Sequence, residues 1–182
     1  MDNKLLAEAV AAHSLYRIVL NDCALGLHEK ASSAYVDARD ELSMQIRHEP
    51  VDWSVFDALD QASGEQTHFL RYRYRCVARV IDSSLQEGEP LYELFTYNTV
   101  FALEYQLVND MPSHEAIDEF AYYNLPFHIW SYWREHLHSS LSRCGLPVFT
   151  LPMFKSGSLP ERKDVLTREP IESSDTAPSD SH

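Results

Sequence analysis

Glycine is scarce in this 182-residue chain, with five in all. No Gly-rich phosphate loop, no G-x-G-x-x-G dinucleotide turn and no G-x-S-x-G nucleophile elbow is present, so the common nucleotide-binding and hydrolase motifs are missing. Cysteine is scarcer still. Cys23, Cys76 and Cys144 are too scattered for a disulfide framework or a paired-cysteine metal site, and the pattern fits a reducing interior, the cytoplasm. Positive charge is also short, with 15 Lys and Arg against 28 Asp and Glu for a net −13. Without excess cations there is no gain from releasing counterions at a phosphate backbone, so nucleic acid and anionic membrane surfaces are poor partners and basic ones are favoured. Long apolar runs are absent. Nothing approaches the roughly 18 residues of a membrane span, and Glu8 interrupts the apolar start before it resembles a signal-peptide core, so neither insertion nor export is expected.

What remains is a well-provided globular composition: 45% hydrophobic and 12% aromatic residues, enough for one core. Residues 2–12 carry apolar side chains at helical spacing and read as a short amphipathic helix. Residues 14–28 are β-favouring, with Gly26 as a candidate bulge; residues 28–40 read as a loop. Residues 41–49 alternate Leu42, Met44 and Ile46 with polar partners, a half-buried strand that Pro50 is expected to end. One or two helical turns then fit around Trp53, Phe56 and Leu59.

The clearest strand is 68–82, where Tyr72, Tyr74, Cys76, Ala78 and Val80 share one face and Arg71, Arg73, Arg75 and Arg79 the other. That arginine face reads as a solvated surface paired with carboxylates rather than as a docking site. Residues 91–108 form a further long β run, antiparallel to it. Ser113 caps a short helix with an imperfect capping box, since Ala116 occupies the position where the box places an acid. Residues 127–144 form the main helix, with Trp130, Trp133, Leu137, Leu141 and Cys144 in one stripe and Gly145 at its end. Residues 146–154 are apolar and proline-punctuated; from 155 to 182 the composition turns to Ser, Pro, Asp and Glu and reads as a disordered acidic tail.

Nine histidines raise the question of metal, but His136 and His138 diverge around a helix and Glu135/His138 lacks a second ligand helix, so no metal or cofactor is expected. No nucleophile with a positioned base is visible, and enzymatic activity has no positive support. The aromatic excess, including Tyr97, Phe101, Phe149 and Phe154, points to interfaces or a groove beside a core. The rival reading is a small-molecule-binding or enzymatic protein on a similar scaffold, using His128, His136 or Arg134 in a pocket.

At the main helix the pattern becomes specific. Tyr132-Trp133-Arg134-Glu135, Arg143, Pro147, Leu151-Pro152 and Phe154 resemble, in order and spacing, the signature of the SecB family of preprotein-export chaperones. Upstream, Tyr16-Arg17-Ile18 through Asp22 resembles the family's first strand, and Thr99-Val100-Phe101 its turn into the helical part. The resemblance covers residues 14–154, with 1–13 as a helical extension and 155–182 as the tail. It implies an α+β fold, a four-stranded antiparallel sheet with helices packed on one side, assembled as a homotetramer that is a dimer of dimers. Trp130, Trp133, Leu137 and Leu141 are then buried between helix and sheet or between dimers, at an oligomer interface. Unfolded polypeptides, either export precursors or an antitoxin of a toxin–antitoxin system, are held without ATP in a groove. Its implied lining is Leu25, Leu27, Tyr97, Phe101, Leu146, Val148, Phe149, Leu151 and Phe154. Asp22 and Glu93 are the implied contacts to the SecA motor, with Gly26 standing where the family carries a second acid.

Overall fold

The alternation in residues 71–80 dictates the middle of the molecule. A computed structural model describes residues 1–59, 66–155, 159 and 166–168. Its elements are α1 (Asn3–Ala12), β1 (His13–Leu27), α2 (Ser33–Asp37), β2 (Leu42–Leu59), β3 (Gln66–Asp82), β4 (Glu93–Leu107), α3 (His114–Tyr123), α4 (Leu125–Arg143) and β5 (Thr167–Arg168). The sheet order is β1-β4-β3-β2-β5, with the four long strands antiparallel and β5 a short parallel addition. Two hairpins join β2, β3 and β4, while the link through α2 carries the chain from one edge of the sheet to the other. The expected four-stranded antiparallel sheet with helices on one side is present.

The apolar side of β3 and β4 supplies the core. Tyr72, Tyr74, Cys76, Ala78 and Val80 are buried, together with Phe95, Tyr97, Phe101, Leu103 and Tyr105 of β4. Against them α4 lays Trp130, Trp133, Leu137 and Leu141, all buried within this one chain. On the other face the arginines are paired: Arg71 Nη2 lies 2.7 Å from Glu104, Arg73 Nε donates to Asp52 at 2.8 Å, and Arg79 lies 3.3 Å from Glu93. Burial works against the charge of Glu104, but bonds from Arg17 and Arg71 outweigh it and hold the carboxyl below its usual range.

Several elements depart from the sequence expectation. Pro50 does not end β2. It sits beside a register shift in a strand near the sheet edge, where a missing N–H is tolerated, and the strand runs on to Leu59. The helical turns expected around Trp53 are therefore strand: Trp53 and Val55 lie opposite Tyr72 and Leu70, while Phe56 stacks on Phe69 at 5.2 Å. Thr99-Val100-Phe101 is mid-strand in β4 and not a turn. The loop after β1 contains α2, capped by Ser32. The main helix starts at Leu125, because Pro126 lies in the first turn, where its lack of an N–H costs nothing. The expected disordered tail falls mostly outside the described residues; within them Leu166 packs against the core and Thr167–Arg168 pair with Asp52 and Trp53.

Ser113 caps α3 as read, accepting from Ala116 N. The missing acid of its capping box is supplied from another helix: Glu8 of α1 accepts from Ser113 N at 2.8 Å, and that bond lowers its pKa. The same joint holds His13, the C-cap of α1 and first residue of β1. Its ring stacks on Phe120 at 4.3 Å, its Nδ1 lies 2.5 Å from the Ala9 carbonyl and its Nε2 lies 2.9 Å from the Tyr72 hydroxyl. The carbonyl contact requires Nδ1–H as donor, leaving Nε2 to accept from Tyr72 in the neutral ring. Burial lowers the His13 pKa from 6.5 to about 4.

Two outcomes follow from this packing. Leu137→Ala, which empties a fully buried site, is expected to cost about 2–5 kcal/mol, read as a lower urea midpoint at unchanged slope. The unfolded chain takes up the His13 proton at higher pH than the folded one, so stability falls as pH drops from about 6.5 towards 4. The loss is at most about 3 kcal/mol. Urea midpoints measured from pH 7 to 4.5 should fall accordingly, and His13→Leu should flatten that slope.

Candidate functional site

The outward side of α4 carries a second stripe beside its core stripe: Phe127, Ser131, Arg134 and His138, with Trp130 shared between the two. The chain turns back at Gly145, whose φ of +65° suits glycine, and residues 146–154 return alongside this stripe. Between helix and returning segment lies an open trough of about 650 Å³, lined by Phe127, Trp130, Arg134, Met153 and Phe154 among others. The segment is pinned at two points: Trp130 Nε1 donates to the Pro152 carbonyl at 2.8 Å, and an Arg134 guanidinium nitrogen lies 3.0 Å from Met153 Sδ.

Rings form its floor. Phe154 packs on Phe127 at 4.8 Å and on Trp130 at 4.9 Å, and Trp130 on Trp133 at 5.1 Å. His48 of β2 closes one end, 5.4 Å from Trp130 and 5.9 Å from Phe154, and is fixed by the Tyr74 hydroxyl at 2.7 Å. Large apolar area stays open to solvent: Met153 is 71% and Phe127 51% exposed. The trough therefore combines a packed aromatic base with accessible apolar walls, and it ends against β2.

The residues expected in the groove are distributed differently. Tyr97, Phe101, Leu146 and Leu151 are buried in the core. Leu25 and Leu27 lie opposite Tyr97 and Phe95 on the β1 edge; Phe149 packs on Phe95 at 6.3 Å, with Val148 exposed nearby in sequence. Of the nine, only Phe154 lines the trough. The reason is the crossing path of residues 146–154, which puts its first half by β4 and its second half by β2. Phe127, Ser131, His138, Thr150 and Met153 line the trough without having been expected in a groove. For Phe127, Ser131 and His138 the signal was the second stripe on α4, visible once Trp130 is allotted to two faces; Thr150 and Met153 carried none.

Trp133, Leu137 and Leu141 are wholly buried between helix and sheet, leaving no surface of theirs for another protomer, and Trp130 is nearly so. The exposed apolar strip lies instead on β1: Leu15, Leu20 and Leu27 on the helix side, each about 43% exposed. Asp22 lies opposite Val100 and Glu93 opposite Ile81, far apart along the sheet, and Glu93 is engaged by Arg79 and Thr96.

The rival pocket does not assemble. His128 lies 2.5 Å from the Tyr105 hydroxyl and His136 2.7 Å from that of Tyr97, both facing the sheet, whereas Arg134 faces the trough. Burial lowers both imidazole pKa values. The Tyr97 hydroxyl also donates to Ser140 Oγ at 2.8 Å and accepts from the Cys23 thiol at 3.1 Å. All three cysteines are unpaired as disulfides. Among the described residues no helix is long and apolar enough to cross a membrane, and no cluster of His, Cys, Asp or Glu has metal-ligand geometry.

No protein-family model and no curated protein matches the chain. A search of solved structures finds the SecB-like chaperone of Mycobacterium tuberculosis in complex with a ChAD peptide from the HigA1 antitoxin, at 20% identity and a TM-score of 0.62. The match covers 84% of this chain and 98% of that one. The chain has the fold of a SecB-like chaperone.

Proposed function

We propose that this protein is an ATP-independent holdase that binds unfolded polypeptides in the trough between α4 and residues 146–154. The observation that carries the reading is an open, ring-floored trough whose end meets the β2 side of the sheet. Unfolded chains alone offer several apolar side chains and unpaired backbone together, so such a surface selects them. A bound chain is held away from aggregation by mass action, with no need for nucleotide. The net charge of −13 favours basic clients.

An antitoxin segment is the client class we favour, because the similar chaperone was solved with an antitoxin peptide. Export precursors are the other class, with Asp22 and Glu93 as the proposed SecA contacts. Residues 14–154 form the proposed chaperone domain, in a reducing, cytoplasmic setting that the three free thiols suit. Assembly as a dimer of dimers is proposed to use the exposed β1 strip. The buried Trp133 and Leu137 stiffen α4 from behind rather than meeting a partner.

Light scattering of a heat-unfolding client without ATP tests the reading. Aggregation should be suppressed near stoichiometric amounts. The double variant Phe127→Ser, Met153→Glu should weaken client binding by roughly tenfold or more, on the scale of one or two apolar side chains lost from a contact, with its melting temperature little changed. Absence of suppression for every client tested, or suppression indifferent to both substitutions, would overturn it.

A further inference from the structure

β5 occupies an unusual place. Residues 166–168 are separated by sequence from the trough-lining segment, yet they return to the β2 edge just beyond the trough's end. Phe154 contacts His48 of β2, and β5 pairs with Asp52 and Trp53 of the same strand, roughly 13 Å further along at about 3.3 Å per residue. Leu166, the residue before the pair, is partly buried and packs against the core. An aliphatic plug followed by backbone pairing at a sheet edge is the way an extended foreign peptide adds to a sheet. Here the chain does it to itself.

We infer that residues 166–168 act as an intramolecular competitor for the client, occupying the β2 edge beyond the end of the trough until a longer unfolded chain displaces them. This rests on the holdase reading and adds regulation of the same site. Two residue pairs make a weak ladder that would not hold in isolation. Tethering raises its effective concentration to the order of millimolar, so it occupies the edge without a client and yields to one that makes more contacts. Short or weakly apolar segments are thereby rejected and long unfolded ones admitted. Beyond the trough, Trp53 and Val55 border a second recess with Met111 and His114, of about 460 Å³, where a client that has displaced β5 gains further contact.

The test uses the full chain and its variant Leu166→Glu, Thr167→Pro, which places a charge at the packed Leu166 position and removes the backbone N–H of Thr167. The probe is reduced, carboxamidomethylated pancreatic trypsin inhibitor, a basic chain that cannot refold, with binding followed by fluorescence anisotropy. Amide exchange at residues 52–53 and 166–168 reports whether β5 is docked. The variant should lose that protection and bind the probe roughly three- to tenfold more tightly, the scale of one or two net hydrogen bonds. A peptide spanning residues 160–172, added to the variant, should compete with the probe. Equal or weaker binding by the variant overturns the competitor while leaving the holdase reading intact, as does a wild-type chain whose exchange shows no protection at those amides. Binding by neither protein overturns both.

Discussion

Four tyrosine hydroxyls buried under the helices constrain everything built above them. Tyr72, Tyr74, Tyr97 and Tyr105 point from β3 and β4 into the core, where an unpartnered hydroxyl is costly, and burial raises the pKa of each. Each is met by an imidazole: His13 at the α1–β1 joint, His48 from β2, and His136 and His128 from α4. A neutral histidine suits this task, presenting a ring to pack and a nitrogen to bond. Because the four partners come from three separate parts of the chain, satisfying them fixes the rotation and axial position of α4 on the sheet. That placement turns Trp130 towards His48 and leaves Phe127 and Arg134 outward, which is what opens the trough.

The other sheet face obeys a different rule. Its arginines are bound to Glu104, Asp52, Glu49 and Glu93, so the large positive stripe of β3 is neutralised within the chain. The acidic excess is then spread elsewhere, and the molecule presents negative potential to its surroundings. Edge strands are handled unequally. β1 carries two bulges, between Leu15 and Arg17 and between Leu20 and Asp22, with exposed apolar side chains around them, whereas β2 is partly covered by the chain's own β5. Exposed edges invite foreign strands, a property on which the proposed holdase function would draw.

The strands of strict alternation and the one long uninterrupted helix were legible from the residues. In β3 Tyr72, Tyr74, Cys76, Ala78 and Val80 went to one face and the arginines to the other, as expected, because a strand with one buried side leaves no freedom of register. The second half of β2 was not legible: Trp53, Phe56 and Leu59 fall at helical spacing, yet Trp53 and Phe56 serve opposite faces of the sheet. The site was less readable than the fold. Phe154 does line the trough, but Tyr97, Phe101 and Leu151 have the composition of groove residues and the location of core ones, and apolar character alone does not separate the two.

By itself the sequence determined which side chains must leave water and with what period: the two faces of β3, the packed stripe of α4, the Ser113 cap and the turn at Gly145. These are local matters, settled by neighbours a few residues apart. Tertiary structure alone decided that Glu8 completes a cap more than a hundred residues away, that four histidines meet four tyrosines, that residues 146–154 cross from β4 to β2, and that residues 166–168 return to the β2 edge. Each depends on distances between segments far apart in the chain, and no periodicity records those.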